Sequence, residues 1–203
     1  MPINAQSALA RLREGNRRFS SGQSSLERTL THKRRMELVA EQEPFAIILG
    51  CSDSRAPAEI VFDQGLGELF VIRVAGNIIA PSLVGSVEFA AERFGTRLVV
   101  VLGHSNCGAV AATVDSLLES SDAPSKNLAS IIDRIKPAVM GLTNTELVQD
   151  RASLVDHAVR ANVRMSVNHL QHGSAILENL ILNDGLVVVG AEYSLETGVV
   201  EFL

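Results

Sequence analysis

The sequence predicts one α/β domain built on an open, mainly parallel sheet of about four strands plus an edge strand, flanked by helices. Three observations predict it. Short continuous apolar runs of strand length end on glycine, as strands buried on both faces do. Helix-period segments separate those runs, the alternation of a parallel sheet with crossover helices. The 203 residues suit a single domain, and no internal repeat or low-complexity linker divides them. The domain is expected to span residues 1–203, with residues 1–40 forming an N-terminal helical arm.

In the arm, Ala5, Ala8, Leu9, Leu12 and Phe19 fall near helical spacing. Eight of the 18 basic residues lie in the first 35 positions, opposed there only by Glu14 and Glu27. The arm therefore reads as an amphipathic basic helix, followed by a second helix through the late 20s and 30s. Its basic face is either solvated or laid across a second subunit, because the narrow apolar stripe asks for a partner surface. Phe45–Leu49 is the first strand and Leu69–Val74 the second, ended by Gly76-Asn77. Pro81 suits the first turn of a helix to about Phe94, with Val84, Val87, Phe89, Ala90 and Phe94 inward. Arg97–Leu102 is the third strand, closed by Gly103, and a helix runs from about Cys107 to Leu118. Ser120–Lys126 is a polar loop. Two helices follow, the second from about Asn144 to Gln171, then a third to Asn183. Leu186–Val189 is the fourth strand, and Gly198 separates it from a short last one, Val199–Leu203.

Composition narrows the function. Hydrophobic residues at 46% and charged residues at 20% are those of a folded globular chain. A formal charge of −5 with 4% aromatic residues gives no nucleic-acid partner. No apolar run approaches the roughly 18 residues of a membrane span, and the first residues carry no apolar signal-peptide core. Two cysteines without an export signal are expected to be reduced thiols in a cytoplasm. The expectation is a soluble cytoplasmic enzyme.

In an open parallel sheet, ligands bind beyond the carboxyl ends of the strands. Both cysteines and one of the five histidines fall there: Cys51-Ser52-Asp53-Ser54-Arg55 after the first strand, and His104-Ser105-Asn106-Cys107-Gly108 after the third. Two sulfurs and an imidazole suit Zn²⁺. The spacing of His104 and Cys107 lets one tight turn aim both at one ion, with Cys51 arriving from the neighbouring strand. Three protein ligands leave a tetrahedral position open, the arrangement of catalytic rather than structural zinc. A Cys51–Cys107 disulfide is the main rival, disfavoured in a reducing compartment. A cysteine nucleophile of the C-x5-R type fails, because Pro57 stands where the arginine belongs.

Asp53 and Arg55 follow Cys51 at two and four residues. A carboxylate between a metal and a guanidinium stays ionised. It can accept a hydrogen bond from a zinc-bound hydroxide while Arg55 holds it in a bidentate pair, or it can move onto the metal as a fourth ligand. The rival reading is a turn with a surface ion pair. Gly65-Leu66-Gly67 precedes a strand and so is no phosphate cradle. His169 and His172 read as charges for a helix C-terminus. His32 and His157 have no evident partners.

The two strand-end segments resemble the zinc and dyad signature of the β-class carbonic anhydrases. Asp63-Gln64-Gly65, Phe70-Val71-Ile72-Arg73 and Gly76-Asn77 are similar to core segments of the same family. The resemblance is close from Pro44 to Val114 and looser to Leu203. It implies reversible hydration of carbon dioxide to bicarbonate and a proton, with one Zn²⁺ per chain on Cys51, His104 and Cys107 and an Asp53–Arg55 catalytic dyad. It implies a homodimer or homotetramer, with the arm embracing the neighbour. Gln42, nine residues before Cys51, stands where the open-site branch has a glutamine that reaches the partner's site. Phe70, Ala75 and Gly108 are the candidates for contact with carbon dioxide or bicarbonate. The chemistry agrees: zinc brings a bound water's pKa from 15.7 toward about 7, and two thiolates weaken that acidification, so an Asp–Arg pair that orients the hydroxide is a sensible complement.

One departure matters. Members with a bicarbonate-regulated, Asp-closed site carry a tryptophan three residues before the first zinc cysteine, with an arginine and a tyrosine. Ile48 stands at that position and the chain has no tryptophan, although Arg73 and Tyr193 could fill the other two roles. The expectation is an open resting site. Two alternatives were weighed on sequence. A zinc deaminase wants His-x-Glu and Pro-Cys-x-x-Cys, and neither occurs. A non-catalytic metal or bicarbonate sensor has no use for Asp53 and Arg55.

Overall fold

The computed structural model describes residues 3–24, 31–119 and 125–203. Helix α1 (Ala5–Ser20) starts where the Asn4 side chain accepts the Ser7 amide, and α2 (His32–Glu37) where Thr31 accepts that of Arg34. Then come β1 (Ala46–Gly50), the one-turn α3 (Ala58–Val61), β2 (Leu69–Arg73), a 3₁₀ turn at Ala75–Asn77, and α4 (Pro81–Arg93). β3 (Leu98–His104) leads into α5 (Gly108–Leu118), α6 (Lys126–Val139), α7 (Arg151–His172) and α8 (Ala175–Asn183). β4 (Val187–Tyr193) and β5 (Val200–Phe202) complete the sheet.

The strand order is β2-β1-β3-β4-β5, with four parallel strands and β5 antiparallel at the edge, the architecture that the apolar runs predict. Every residue of β1 and β3 is buried, because side chains alternate between two covered faces. Ile48, Leu98 and Val100 pack with Leu12 of α1 and Phe62. Ile47, Leu49, Val99 and Val101 pack on the other face with Val87 of α4 and with Val163 and Leu170 of α7. The chain leaves β1 for β2 on one side and returns to β3 on the other. That reversal opens a crevice at the carboxyl ends of β1 and β3.

Several boundaries differ from expectation, each for a physical reason. Gly103 does not close the third strand, and the fourth runs past its expected end at Val189 through Gly190 to Tyr193. A Cβ on Gly103 would lie 2.6 Å from Val163 Cγ2 and one on Gly190 2.7 Å from Val163 Cγ1, so both glycines admit α7 onto the sheet inside continuous strands. The long helix begins at Arg151 rather than near Asn144. Asp150 accepts the Ala152 and Ser153 amides, and residues 142–149 form two 3₁₀ turns instead. Phe89 does not face inward. It is 54% exposed and meets Phe70 and Phe94 at the β2 edge, while Val87, Ala90 and Ala91 form the buried face of α4. Residues 25–30 of the second predicted helix and 120–124 of the polar loop lie outside the described residues.

The apolar stripe of α1 is covered by its own chain: Ala5, Ala8 and Leu12 are buried in the core that holds Ile48 and Val100. Its basic face is engaged rather than free. Arg11 pairs with Glu68 and lies 4.1 Å from the centre of the Phe45 ring, and Arg13 lies over Phe202. Buried Asn16 locks the helix in place, donating to the Val61 and Gly198 carbonyls and accepting the Val200 amide at 2.8 Å. Asn16→Ala leaves two buried backbone groups and one part-buried one without this partner and is expected to cost about 3 kcal/mol, read as a lower urea midpoint at unchanged m-value.

Candidate metal centre

The crevice between β1 and β3 is where the chemically distinctive residues meet. Cys51 directly follows β1, and the pairing with β2 continues past it through a Val74 amide to Gly50 carbonyl bond and a Ser52 amide to Val74 carbonyl bond. His104 is the last residue of β3, which runs two residues past its expected end at Leu102. Asn106 takes a left-handed conformation (φ 55°), which asparagine tolerates, and this tight reversal returns Cys107 toward His104. Cys107 stands at the N-cap of α5, where Ser, Thr, Asp or Asn is usual, but its side chain caps nothing.

Among the described residues, Cys51, His104 and Cys107 form a buried group whose ligating atoms all lie within 4.8 Å of one another. The two sulfurs are 4.0 Å apart and both thiols are free. A disulfide needs about 2.05 Å, whereas two sulfurs on one tetrahedral zinc stand about 3.8 Å apart at bond lengths of about 2.3 Å. His104 Nδ1 lies 2.9 Å from the Ser105 carbonyl, which can only accept, so the hydrogen sits on Nδ1 and the Nε2 lone pair is left over. That Nε2 is buried and has no hydrogen-bond partner. An orphaned buried nitrogen beside two sulfurs is what a cation site looks like without its cation. The residues fit a soft divalent metal.

The protonation pattern carries the same message. The hydrogen bond shared with Cys107 lowers the Cys51 thiol pKa far below the usual thiol value; burial opposes it, while His104 and the Gly76 amide, 3.3 Å from Sγ, add to it. The same shared bond, together with burial, pushes Cys107 up. Burial disfavours the His104 imidazolium, yet the nearby Cys51 sulfur and the Ser105 carbonyl raise its pKa overall. Metal binding to a group of this kind would displace protons from it.

Asp53 and Arg55 are brought together at the rim. Arg55 donates from Nε to Asp53 Oδ1 at 2.9 Å and from Nη2 to Oδ2 at 2.8 Å, and its backbone amide also bonds Oδ1. This fork, largest among the causes, holds the Asp53 carboxyl far below the ordinary carboxylate range. Asp53 Oδ2 lies 3.8 Å from His104 Nε2, so the carboxylate faces the ligand group. Arg73 donates to the Cys51 carbonyl at 3.0 Å and to the Asp53 carbonyl at 2.6 Å, tying the ligand and the dyad to one side chain. Tyr193, the other residue considered for a closed site, packs its ring on Phe19 with centroids 6.3 Å apart.

A family model described as carbonic anhydrase matches residues 46–200. The chain belongs to the β-class carbonic anhydrases. It is 38% identical over 198 residues to a carbonic anhydrase of Mycolicibacterium smegmatis, covering 98% of this chain and 93% of that one. It is 37% identical over 196 residues to carbonic anhydrase 2 of Mycobacterium tuberculosis, covering 96% and 91%. A solved β-carbonic anhydrase of Aspergillus fumigatus superposes with a TM-score of 0.75 at 25% identity, over 98% of this chain and 89% of that one. Carbonic anhydrases are lyases that hydrate carbon dioxide. Among the described residues of this one, no helix is long and apolar enough to cross a membrane.

The remaining candidates lie at varied distances from the sulfurs. Ala75 opens the 3₁₀ turn whose next residue, Gly76, bonds Cys51. Gly108 follows Cys107, and a Cβ placed on it would meet no described atom within 4 Å. Phe70 packs against Phe89 and Phe94 at the β2 edge, and Gln42 is exposed ahead of β1. Sequence reasoning missed the Gly76 amide as a donor to the ligand sulfur, having read Gly76-Asn77 only as the end of a strand. The purified chain is expected to carry about one transition-metal ion by elemental analysis after gel filtration. His104→Ala and Cys107→Ser are expected to fall well below one.

Proposed function

We propose that this carbonic anhydrase works through one zinc ion held by Cys51, His104 and Cys107, with Asp53 and Arg55 as its catalytic dyad. The observation that carries the reading is the buried, unpartnered His104 Nε2 between the two free thiols and the Asp53 carboxylate. When bound, zinc supplies the Lewis acidity that brings the pKa of water from 15.7 toward about 7 and so makes a nucleophile available near neutral pH. Asp53 stays ionised throughout the working pH range, because Arg55 engages both of its oxygens. Its role is to accept a hydrogen bond from the attacking oxygen and turn that oxygen's free lone pair toward the carbon of carbon dioxide. Arg55 positions Asp53, and Arg73 fixes the backbone that carries both Cys51 and Asp53.

The balance is one carbon dioxide and one water to bicarbonate and a proton, with the proton passing to solvent buffer. Carbon dioxide is small and uncharged, so an apolar surface beside the sulfurs suffices, with Ala75 and Gly108 near it. The open space at the Gly108 Cα supports that assignment, since no packing among the described residues demands a glycine there. Phe70 and Gln42 take part where a second subunit completes the site, in a homodimer or homotetramer working in the cytoplasm. The bidentate hold on Asp53 supports the acceptor role over Asp53 as a fourth metal ligand. Asp53→Ala is expected to lower kcat/KM for carbon dioxide hydration about 100-fold or more while metal content stays near one per chain. Full activity in that variant would remove Asp53 from the mechanism.

A further inference from the structure

The Gly76 amide that bonds Cys51 belongs to a turn with an unusual backbone. Gly76 (φ 68°) and Asn77 (φ 42°) are both left-handed, and the second is not a glycine. Two such residues in succession persist only when their surroundings hold them. The turn's own closure is the Asn77 amide on the Val74 carbonyl. Its other anchors come from α7. Asn162 Nδ2 donates to the Gly76 carbonyl at 2.8 Å, and Ser166 Oγ donates to the Asn77 carbonyl at 3.1 Å. Asn162 is 2% exposed and Ser166 4%, on the helix face that otherwise buries Val155, Val159 and Val163. Spaced four residues apart, they stack on one face of the helix. Polar groups so deeply buried are costly unless hydrogen-bonded, and their bonds go to the turn. From the opposite side, a Cβ on Gly76 would lie 2.7 Å from Ile135 Cδ1 and 3.1 Å from Ala109 Cβ, so the turn is gripped from both directions.

We propose that Asn162 and Ser166 are positioning residues for the metal centre: through the Ala75–Asn77 turn they aim the Gly76 N–H at the Cys51 sulfur and so set how firmly that sulfur holds the cation. The inference rests on the reading of Cys51, His104 and Cys107 as metal ligands and extends it to a helix that contributes none of them. An N–H bond to a thiolate draws charge from the sulfur, orients its lone pairs and fixes it in place. Removing a partner of this kind typically costs about 10–100-fold in metal affinity.

The test compares wild type, Asn162→Ala, Ser166→Ala and, as a control for lost packing on the same helix, Val163→Ala. Zinc affinity is read by chelator competition, and the sulfur-to-metal charge-transfer band is read in Co²⁺-substituted protein. Asn162→Ala is expected to raise the zinc Kd about tenfold or more and to move the Co²⁺ band to longer wavelength, with Ser166→Ala a weaker form of both. Val163→Ala is expected to lower stability and leave affinity and band in place. Should Asn162→Ala fail to fold, Ser166→Ala alone decides. Wild-type affinity and an unmoved band in folded variants would overturn the clamp while leaving the metal centre intact, and equal shifts in Val163→Ala would overturn it too. Wild-type protein that takes up neither Zn²⁺ nor Co²⁺ would overturn the ligand assignment itself.

Discussion

Among the described residues, two sulfurs and an imidazole nitrogen are buried within 4.8 Å of one another, and a soft divalent cation would satisfy all three. Left to protons, the group must share them unequally: one sulfur is pushed toward thiolate, the other held as a thiol, and a ring nitrogen is left without a partner. Much of the molecule serves that convergence. β1 and β3 are neighbours in register from Ile47 opposite Val99 to Gly50 opposite Leu102, so their carboxyl ends emerge side by side. The two strand glycines that admit Val163 let α7 press against the sheet close behind the ligands.

The charge arrangement follows from the same constraint. On the proposed mechanism, a cation held by two thiolates would be nearly neutralised, which favours catalytic help from a group that orients rather than one that adds positive charge. Asp53 is charged, faces His104 and is held by Arg55 at both oxygens, which is what the proposed role asks of it. Arg55 is the more exposed partner and Asp53 the more enclosed, so the carboxylate stays between solvent and the sulfurs. A second arginine, Arg73, binds only backbone carbonyls in this loop and leaves the Asp53 carboxylate to its partner.

Much of this was legible in the sequence, for reasons that differ by residue. Cys51, His104 and Cys107 stood out because soft ligands are rare in this chain and because apolar runs marked the strand ends. The sheet was legible because strands buried on both faces leave continuous apolar runs. Gly103 misled, since a strand glycine that admits a helix looks the same in one dimension as a glycine that ends a strand. Phe89 misled because helical period alone cannot separate an inward ring from one clustered at a sheet edge. The arm's stripe was legible, but its partner was not: Asn16 bonds residues 45, 182 and 184 positions away. Asn162 and Ser166 were illegible for the same reason, as their meaning lies in carbonyls 86 and 89 positions distant.

The coordination sphere itself is the most direct place to look. X-ray absorption at the zinc edge of the loaded protein should give two sulfur neighbours at about 2.3 Å and lighter nitrogen or oxygen neighbours at about 2.0–2.1 Å. A first shell made of nitrogen and oxygen alone, or of four sulfurs, would contradict the account.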